Sequence, residues 1–471
     1  MNSKETKTSP AKYLLLYVPF LLSIAVGDPI SSYLIAWAGS FFIFYVSFTN
    51  KIKPTSPELP LAEKIFKPLF LTQIIFAGYM SCTSIFYFLD QMGYKNFSKV
   101  YGLTPSLDEL KYTAACQQYY LLGHAAFAHG LLALYKSEVV SKYRPKITNW
   151  PKFFMLAAIV CAPIGFVLSR TGALSVIGNS ISGLALVAAT ISLALAIPLK
   201  QRGILVLSGI LYISQLLQAL KSGFKEPVIV SVMMLGLFLY PFYKRAVILT
   251  FIPLMLLLFT VLPTYVNTFR KQLSTGDADE AKQEALKQVQ ESFSGDQLAE
   301  TNWDFLTGRI SEIGMFTKYK ESTDTRGTYY GFQIVGQAGI ALIPRVLWPS
   351  KPITEDVAMV RVLENGIVSD DVMVSAKPQY IVDGYLSGGL AGIWIALFFY
   401  GAMAQFFDNM CEKLFGGYFF GTAFVCTGIF GFLWRGNCFE FIFNNMLYGF
   451  LTLFLLFIAF KQLKIIERKP V

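Results

Sequence analysis

Long apolar stretches follow one another along almost the whole chain, and they limit the folds that are open to it. A bilayer core of about 30 Å needs about 20 apolar residues per helix. Segments of roughly this length recur twelve times, and hardly any charged residue interrupts them. We therefore predict an all-α polytopic membrane protein with about 12 transmembrane helices. The predicted spans are 13–26, 30–48, 66–89, 113–135, 153–169, 174–198, 203–220, 227–243, 246–266, 385–405, 417–434 and 441–460.

The composition supports this fold class. Of the 471 residues, 54% are hydrophobic and only 15% are charged, and the mean hydropathy is +0.50. A soluble domain carries about 25% charged residues. In a membrane protein a net charge of +10 is expected to reflect topology, so we predict no nucleic-acid partner.

The first two apolar segments leave the number of spans open by one or two. Segment 13–26 is short, and only Gly27-Asp28-Pro29 separates it from segment 30–48. The pair forms either a helical hairpin or one broken helix.

The distribution of basic residues predicts the orientation. If the N-terminus is cytoplasmic, the inside segments carry 21 Lys and Arg, and the short outside loops carry 7. The 12 basic residues of the long interval 267–384 do not count, because long segments cross the membrane regardless of charge. We predict that both termini are cytoplasmic and that 267–384 is a large extracytoplasmic loop of the bacterial inner membrane. This loop separates nine spans in 1–266 from three spans and a cytoplasmic tail in 385–471.

The long loop has helical patterns of its own. Asp277-Ala278-Asp279-Glu280 has the spacing of a capping box, and the apolar residues that follow predict an amphipathic helix near 278–293. A second helix is predicted from Trp303 to Tyr319. The apolar run 336–343 is too short to span the bilayer, so we expect it to be re-entrant or interfacial.

The ten residues from Ile343 to Pro352, IPRVLWPSKP, form the most specific motif. Its prolines fix the backbone and prevent a helix, so we expect Arg345 and Lys351 to project from a rigid arm. Trp348 is able to anchor this arm at the membrane interface. Such cations suit a ligand with negative charge and a lipid tail. The alternative is an interfacial anchor whose cations snorkel to water.

Two segments precede this motif, Gly308-Arg309-Ile310-Ser311-Glu312 and Gly327-Thr328-Tyr329, and the helix entry DGYLSGGLAG at 383–392 follows it. In this arrangement the chain resembles the Wzy-type polymerases of O-antigen and exopolysaccharide repeat units. The resemblance covers the hydropathy layout of nearly the whole chain and is concentrated at residue level in 309–392. It implies a GT-C-type membrane glycosyltransferase that joins repeat units carried on undecaprenyl pyrophosphate at the outer face of the inner membrane.

The resemblance also implies which residues act. Arginines of the outside loops are the functional residues of such families, and Arg309 and Arg345 are the matching positions. We expect them to stabilise the departing pyrophosphate. Glu312 and Asp383 are candidates to deprotonate or orient the acceptor sugar. The expected substrate-binding residues are Arg270, Lys225, Lys221, Arg326, Lys351, Trp348, Tyr329, Arg170 and Arg435, with Tyr330 as a further ring that could stack on a sugar.

Several of these cations also have a simpler interpretation. Lys221 and Lys225 flank a turn and are explained as well by solvated lysines at helix ends. Arg170 and Arg435 each end a span, where a lone charge usually snorkels. Arg361 lies in the same loop but outside the motif, so we expect its replacement by alanine to be mild.

The sequence contains no motif typical of a metal site, a redox-active cysteine pair or a nucleotide-binding site. The six cysteines form no CxxC pair, and His124 and His129 are spaced for packing within a span rather than for a shared metal. No nucleotide-binding motif occurs, and we predict neither a metal nor a cofactor. The expected partners are the lipid-linked oligosaccharide, membrane lipid and a chain-length regulator protein. A flippase for the same lipid or an O-antigen ligase is the alternative, although nearly charge-free spans without a repeat argue against a transporter.

Overall fold

The computed structural model describes residues 9–470 except 55–63, 101–104, 173, 222–224, 274–277, 293–296, 346 and 369–375. Within these residues the chain is mainly helical. Its α-helices are α1 Val18–Ala25, α2 Pro29–Phe48, α3 Pro68–Gln73, α4 Ser84–Gln91, α5 Leu107–Leu134, α6 Trp150–Ser169, α7 Ser175–Ala196, α8 Arg202–Lys221, α9 Lys225–Leu239, α10 Lys244–Leu273, α11 Ala278–Ser292, α12 Gln297–Phe305, α13 Ile313–Arg326, α14 Gln333–Leu342, α15 Thr354–Glu364, α16 Tyr380–Phe415, α17 Thr427–Phe430 and α18 Phe439–Gln462.

Other helix types and four short strands complete the described chain. The 3-10 helices are Pro10–Tyr17 and Gly431–Arg435, and the π-helices are Ile74–Cys82, Leu306–Ile310 and Tyr418–Cys426. The strands are β1 Tyr94–Lys95, β2 Ser98–Lys99, β3 Tyr143–Pro145 and β4 Ile466–Arg468, and they pair antiparallel as β1–β2 and β3–β4.

Among the residues that the structure describes, six helices are long and apolar enough to cross a membrane. They are Pro29–Phe48, Pro68–Gln91, Trp150–Ser169, Ser175–Ala196, Tyr380–Phe415 and Phe439–Gln462. Shorter apolar helices include Pro10–Ala25, Arg202–Gln218 and Val228–Leu239. The prediction of a helical protein with apolar helices of membrane-spanning length is confirmed, whereas the number of twelve spans stays a prediction.

The N-terminal pair of apolar segments forms a helical hairpin. The Asp28 side chain accepts a hydrogen bond from the Ser31 backbone N–H at 2.8 Å, and Pro29 occupies the first position of α2. This combination is typical of a helix start. The Ser32 hydroxyl donates to the Ser23 carbonyl at 2.9 Å, which ties the two helices together. Of the two alternatives left by the sequence, the broken single helix is therefore excluded.

Helices α5 and α16 pack against each other at the centre of the core. A Cβ atom added at Gly130 would lie 2.1 Å from the Phe398 carbonyl oxygen, and one at Gly401 would lie 2.1 Å from the Phe127 carbonyl oxygen. Only glycine allows so close an approach of the two backbones, as is common where apolar helices meet in a membrane.

Helix α16 runs the length of the core and defines its two ends. Its first residues lie beside the start of α18, where the Tyr380 and Phe439 rings are 4.6 Å apart, and we call this the loop end. Its last residues lie beside β3, where Gly416 meets Pro145, and we call this the ribbon end. Between them, Gly388 and Gly389 have non-helical backbone angles, so the helix is kinked.

A buried ion pair lies at the ribbon end. Lys67 Nζ is 3.2 Å from Glu412 Oε1, and both side chains are at most 6% exposed. The Thr422 hydroxyl contacts both the Glu412 and Asp408 carboxylates. These contacts join the start of α3, the end of α16 and the π-helix Tyr418–Cys426.

The predictions for the long loop have mixed outcomes. Helix α11 agrees with the amphipathic helix predicted near 278–293, although its expected cap Asp277 lies outside the described residues. The single helix predicted from Trp303 to Tyr319 is wrong, because a π-helix at Leu306–Ile310 and extended backbone at Ser311 separate α12 from α13. The apolar run near 336–343 lies in α14, which is too short to span a bilayer.

Candidate functional site

The Pro-rich motif forms a compact arm that packs against the end of α14. The Lys351 ammonium group is buried and donates to the carbonyls of Ala341 at 2.9 Å and Ile343 at 2.8 Å, where it caps the helix. The Arg345 guanidinium donates to the carbonyls of Lys351 at 2.9 Å and Pro352 at 3.2 Å. Cations favour the carboxyl end of a helix, because carbonyl groups without partners carry partial negative charge there.

The two cations of the arm lie close together without a compensating acid. Neither Arg345 nor Lys351 forms an ion pair with any residue that the structure describes. Burial and the charge of Arg345 both lower the pKa of Lys351. Arg345 is half-buried and uses two of the five N–H groups that a guanidinium offers. The arm is therefore a concentrated positive charge with free donors.

Helix α14 presents an apolar face to its surroundings beside the arm. Ile334, Ala338 and Ala341 are buried, and α14 packs against α18. The other side of α14 and the adjoining turns leave large apolar side chains exposed, among them Phe332 at 89% and Leu347 at 76%. Exposed apolar patches of this kind mark contact with lipid or with a partner. The further exposed apolar side chains are Val335, Ile340, Ile343 and Trp348.

Arg361 on α15, which also contacts Gln337 of α14 at 2.8 Å, binds two buried carboxylates. Its guanidinium contacts Glu440 at 2.6 and 2.9 Å and Asp383 at 3.2 and 3.3 Å. Arg361 is only 1% exposed, and Asp383 and Glu440 are buried equally well. Burial alone would lower the pKa of Arg361, but the charges of Asp383 and Glu440 raise it above its usual value.

This cluster gives Asp383 a task other than the predicted one. One of its oxygens also accepts from the Phe439 backbone N–H at 2.8 Å, at the start of α18. With both oxygens facing buried groups, Asp383 joins α15, α16 and α18 rather than meeting a substrate hydroxyl. The cluster also argues against the use of Arg361 as a mild control, because its loss would leave two buried carboxylates unpaired.

Three side chains of this region offer atoms that could ligate a metal ion. Each of Asp383, Cys438 and Glu440 offers one potential ligand atom, and these three atoms lie within 4.8 Å of one another. The Arg361 guanidinium already binds both carboxylates, so an ion could enter only by displacing it.

Sequence analysis missed Glu440 and the role of Arg361, although one signal was available. Asp383 and Glu440 each lie in the first turn of a long apolar helix. An acid at this position is normally explained by the helix dipole. Two such acids, at the starts of two helices that are both predicted to begin on the outside face, could instead have indicated a shared cation.

A polar groove lies between α13 and the end of α15. Its volume is ≈ 520 Å³. Arg326 donates to Tyr330 Oη at 3.2 Å, and the same hydroxyl donates to Glu364 at 2.7 Å. Paired donors and acceptors around an open groove suit a ligand with many hydroxyl groups. The lining residues are Lys318, Glu321, Ser322, Thr325, Arg326, Glu364, Asn365 and Gly366.

Glu312 lies half-buried at the start of α13. Its carboxylate accepts hydrogen bonds from the Tyr79 hydroxyl and the Gln379 side chain. The side-chain oxygen of Gln379 in turn accepts from the Tyr120 hydroxyl at 3.3 Å. Glu312 is thus held in place between the membrane helices and the loop.

Tyr329 is half-exposed and rests on the start of α16. Its ring meets the Tyr385 ring edge-on, with centroids 5.7 Å apart, and Tyr385 stacks on Tyr119. A Cβ atom added at Gly389 would lie 2.8 Å from the Tyr329 hydroxyl. The kink of α16 therefore makes room for this ring.

The remaining predicted residues include Arg170 and Arg435, which lie at helix ends, and Trp348, which is part of the arm. The Arg170 guanidinium lies over the Phe166 ring at 3.8 Å, as expected for a charge at the end of a helix, and Arg435 ends a 3-10 helix. The Trp348 indole N–H donates to Ser350 at 3.1 Å. The side chains of Arg270, Arg309, Lys221 and Lys225 lie outside the described residues.

Nearly the whole chain matches one protein family. A family model described as a domain of unknown function (DUF8712) matches residues 18–468. No curated protein and no solved structure matches the chain.

Proposed function

This chain belongs to the family described as a domain of unknown function (DUF8712), and we propose that it polymerises oligosaccharide repeat units carried on undecaprenyl pyrophosphate. In this proposal it is a metal-independent glycosyltransferase at the outer face of the bacterial inner membrane. The observation that carries the proposal is the arm, where Arg345 and Lys351 lie together with no described acidic partner.

The arm and α14 offer the two features that a lipid pyrophosphate needs. Bidentate guanidinium contacts suit phosphate oxygens, and Arg345 retains unused N–H groups for them. The exposed apolar side chains of Phe332 and Leu347 are available to the lipid tail. The arm and the adjoining end of α14 therefore combine positive charge with exposed apolar side chains.

The proposed reaction transfers the growing saccharide to a hydroxyl group of the incoming repeat unit. The bond between the sugar C1 atom and a pyrophosphate oxygen breaks, and a bond from C1 to the acceptor oxygen forms. Negative charge develops on the leaving pyrophosphate, where fixed cations lower the barrier. The acceptor proton passes to a base, and Glu312 is our candidate because Tyr79 and Gln379 orient it while it stays half-exposed.

The polar groove and Tyr329 support the saccharide part of the proposal. Arg326 and Glu364 place donors and acceptors around an open volume of ≈ 520 Å³, and both contact the Tyr330 hydroxyl. Tyr329 offers a half-exposed ring on which a sugar could stack. We assign the groove to hydroxyl groups of the bound oligosaccharide.

Replacement of Arg345 tests the proposal. Arg345→Lys keeps the charge but loses the planar fork, and removal of one charge-stabilising donor slows catalysis on the order of 100- to 1000-fold. We expect Arg345→Lys to reduce polymer formation strongly and Arg345→Ala to abolish it. The measurement is the extension of lipid-linked repeat units by purified protein.

Lys95→Gln is the matched control, because Lys95 is an exposed cation at the same end of the molecule. Its ion pair with Glu300, at 2.7 Å, is solvent-exposed and contributes little to stability. Polymer formation should stay normal in this variant. Normal polymer from a well-expressed Arg345→Ala variant would instead remove the arm from the mechanism.

A transporter of the same lipid is the second candidate, and one observation favours it. Lys67, Asp408 and Glu412 are buried charges at the ribbon end, although the sequence suggested nearly charge-free spans. Buried charges of this kind often belong to transport pathways. A deletion strain distinguishes the functions, since single repeat units accumulate outside without a polymerase and inside without a flippase. Long unattached chains would indicate a ligase.

A further inference from the structure

The ribbon end carries a cluster of exposed cations that the proposed function does not use. Strands β3 and β4 pair at Tyr143–Arg468, Arg144–Glu467 and Pro145–Ile466. Backbone hydrogen bonds extend the pairing, from Lys469 N to Lys142 O at 3.0 Å and from Lys142 N to Lys413 O at 2.9 Å. The basic ribbon consists of Lys142, Arg144, Lys146, Lys413, Lys464, Arg468 and Lys469, all of them exposed.

The two faces of the ribbon differ, because side chains alternate along a strand. On the inner face Ile466 is 2% exposed, and the Tyr143 ring packs on Phe457 with centroids 5.1 Å apart. On the outer face Arg144 and Lys146 are 60% and 67% exposed. The fold therefore holds Arg144 and Lys146 on the outer face of the ribbon, next to the other exposed cations of this end.

One carboxylate of the ribbon itself faces these seven cations. Glu467 pairs with Arg144 at 2.6 Å and with Lys146 at 3.8 Å. The ribbon is therefore strongly positive. Beside it Leu463 is exposed at 69%, so that an apolar side chain lies among the cations.

The ribbon lies at the boundary of the predicted membrane. Helix α18 ends at Gln462, four residues before β4, and α6 begins at Trp150, five residues after β3. Both helices are long and apolar enough to span a bilayer. The cations thus occupy the level of the lipid headgroups, where basic residues are attracted to anionic lipid.

We propose that the basic ribbon is a binding site for anionic phospholipid headgroups. The lysines act as point charges on lipid phosphates, and Leu463 inserts between acyl chains. This site is separate from the arm and does not depend on the proposed polymerase activity.

The test titrates purified full-length protein in neutral detergent with fluorescent phosphatidylglycerol and, in parallel, with phosphatidylcholine. We expect tighter binding of phosphatidylglycerol, weakened by salt. The triple variant Lys142→Gln/Lys464→Gln/Lys469→Gln should weaken that binding on the order of 100-fold, because each basic residue near an anionic surface contributes roughly a fivefold factor.

The matched control is Lys99→Gln/Lys111→Gln/Lys282→Gln, which removes three exposed lysines away from the ribbon. It should bind phosphatidylglycerol like the parent protein. Equal affinity for the two lipids, or unchanged phosphatidylglycerol binding by the ribbon variant, would overturn the proposal. So would full competition by inorganic phosphate at the same concentration, since the ligand would then be the free ion. If the triple variant does not fold, Arg468→Gln replaces it and should weaken phosphatidylglycerol binding roughly fivefold. The salt dependence of binding to the parent protein is then the second measurement.

Discussion

Arg345 and Arg361 come from the same interval of the sequence, yet their surroundings give them different tasks. Arg345 is half-buried and contacts backbone carbonyls, so part of its guanidinium is available to a ligand. Arg361 is buried, and two carboxylates and Gln337 surround it. A guanidinium enclosed in this way holds helices together, whereas one with free donors is able to bind a substrate.

We predict that Arg361→Ala strongly destabilises the protein. Removal of one partner of a buried ion pair costs about 3–5 kcal/mol, because the remaining charge stays buried and unpaired. The midpoint of thermal unfolding, followed by size-exclusion chromatography of heated samples, should fall markedly.

A control variant and a compensating triple variant test the prediction for Arg361. Arg326→Ala removes an exposed arginine of the neighbouring helix and should unfold near the parent temperature. The triple variant Arg361→Met/Asp383→Asn/Glu440→Gln carries no buried charge at the cluster and should recover part of the lost stability. An Arg361→Ala protein that unfolds with the parent would show that the cluster does not hold the helices.

We predict a pH dependence from Lys351. Burial and the charge of Arg345 lower its pKa below the usual 10.5, so the folded protein loses this proton at a lower pH than the unfolded chain. Between the two pKa values the unfolded chain binds more protons, so the contribution of Lys351 to stability rises with pH. Affinity for pyrophosphate should fall over the same window, because the arm loses a charge.

Titration of purified protein with pyrophosphate across alkaline pH checks this prediction. Lys351→Arg keeps its charge at high pH and should remove the step. The same loss of affinity in Lys351→Arg and in the parent would assign the titration to another group.

The burial of Arg361 could not be predicted from the sequence. In the sequence, Arg361 does not differ from the other basic residues of the loop. Only the fold brings Asp383 and Glu440 next to it. The motif around Arg345 was recognisable because the prolines and Trp348 are close in sequence. Contacts between residues that are distant in the sequence, such as Arg361 and Glu440, were therefore the part of the site that could not be predicted.

At the scale of elements, apolar patterns predicted helices well and their interruptions poorly. The run that became α14 was recognisable by its length. The break between α12 and α13 depends on a distant contact, since the Thr83 hydroxyl donates to the Ile310 carbonyl at 3.1 Å. The kink in α16 likewise depends on Tyr329, which packs against Gly389.

We predict that Gly389→Ala disturbs the start of α16. Gly389 has φ +60° and ψ −137°, a combination essentially restricted to glycine that costs another residue about 1–3 kcal/mol, and the new Cβ would collide with the Tyr329 hydroxyl. Both stability and polymer formation should decrease, as measured by thermal unfolding and by the extension assay.

Gly388→Ala is the control for the kink, because a Cβ atom there meets no atom within 4 Å. The double variant Gly389→Ala/Tyr329→Ala relieves the collision but not the backbone strain, so it should recover only part of the stability. If Gly389→Ala is as stable as the parent protein, α16 can straighten without a loss of stability, and the prediction is wrong.

At the scale of the whole molecule, the predicted spans and the loop and ribbon ends suggest one orientation. The six candidate spans follow from length and apolar composition alone, which is why the sequence predicted them. The orientation rests on the count of 21 inside against 7 outside basic residues. In that orientation the loop end faces outward and the basic ribbon faces the cytoplasm.

We predict that Thr325→Cys reacts with an impermeant thiol reagent in intact spheroplasts. Thr325 is exposed on α13 at the loop end. Thr148→Cys, exposed beside the ribbon, should react only after lysis. The reverse pattern of labelling would invert the topology and place the arm on the cytoplasmic side. Ser294, a natural choice for this test from the sequence, lies outside the described residues.

The pairing of β3 with β4 has a consequence for the timing of assembly. Arg144 and Glu467, which face each other in the ribbon, are 323 residues apart along the chain. At a synthesis rate of about 5–20 residues per second, β3 waits roughly 15–65 s for its partner strand. During that time the loop before α6 lacks its only described strand pairing. The ribbon is thus completed only after α18 has been made.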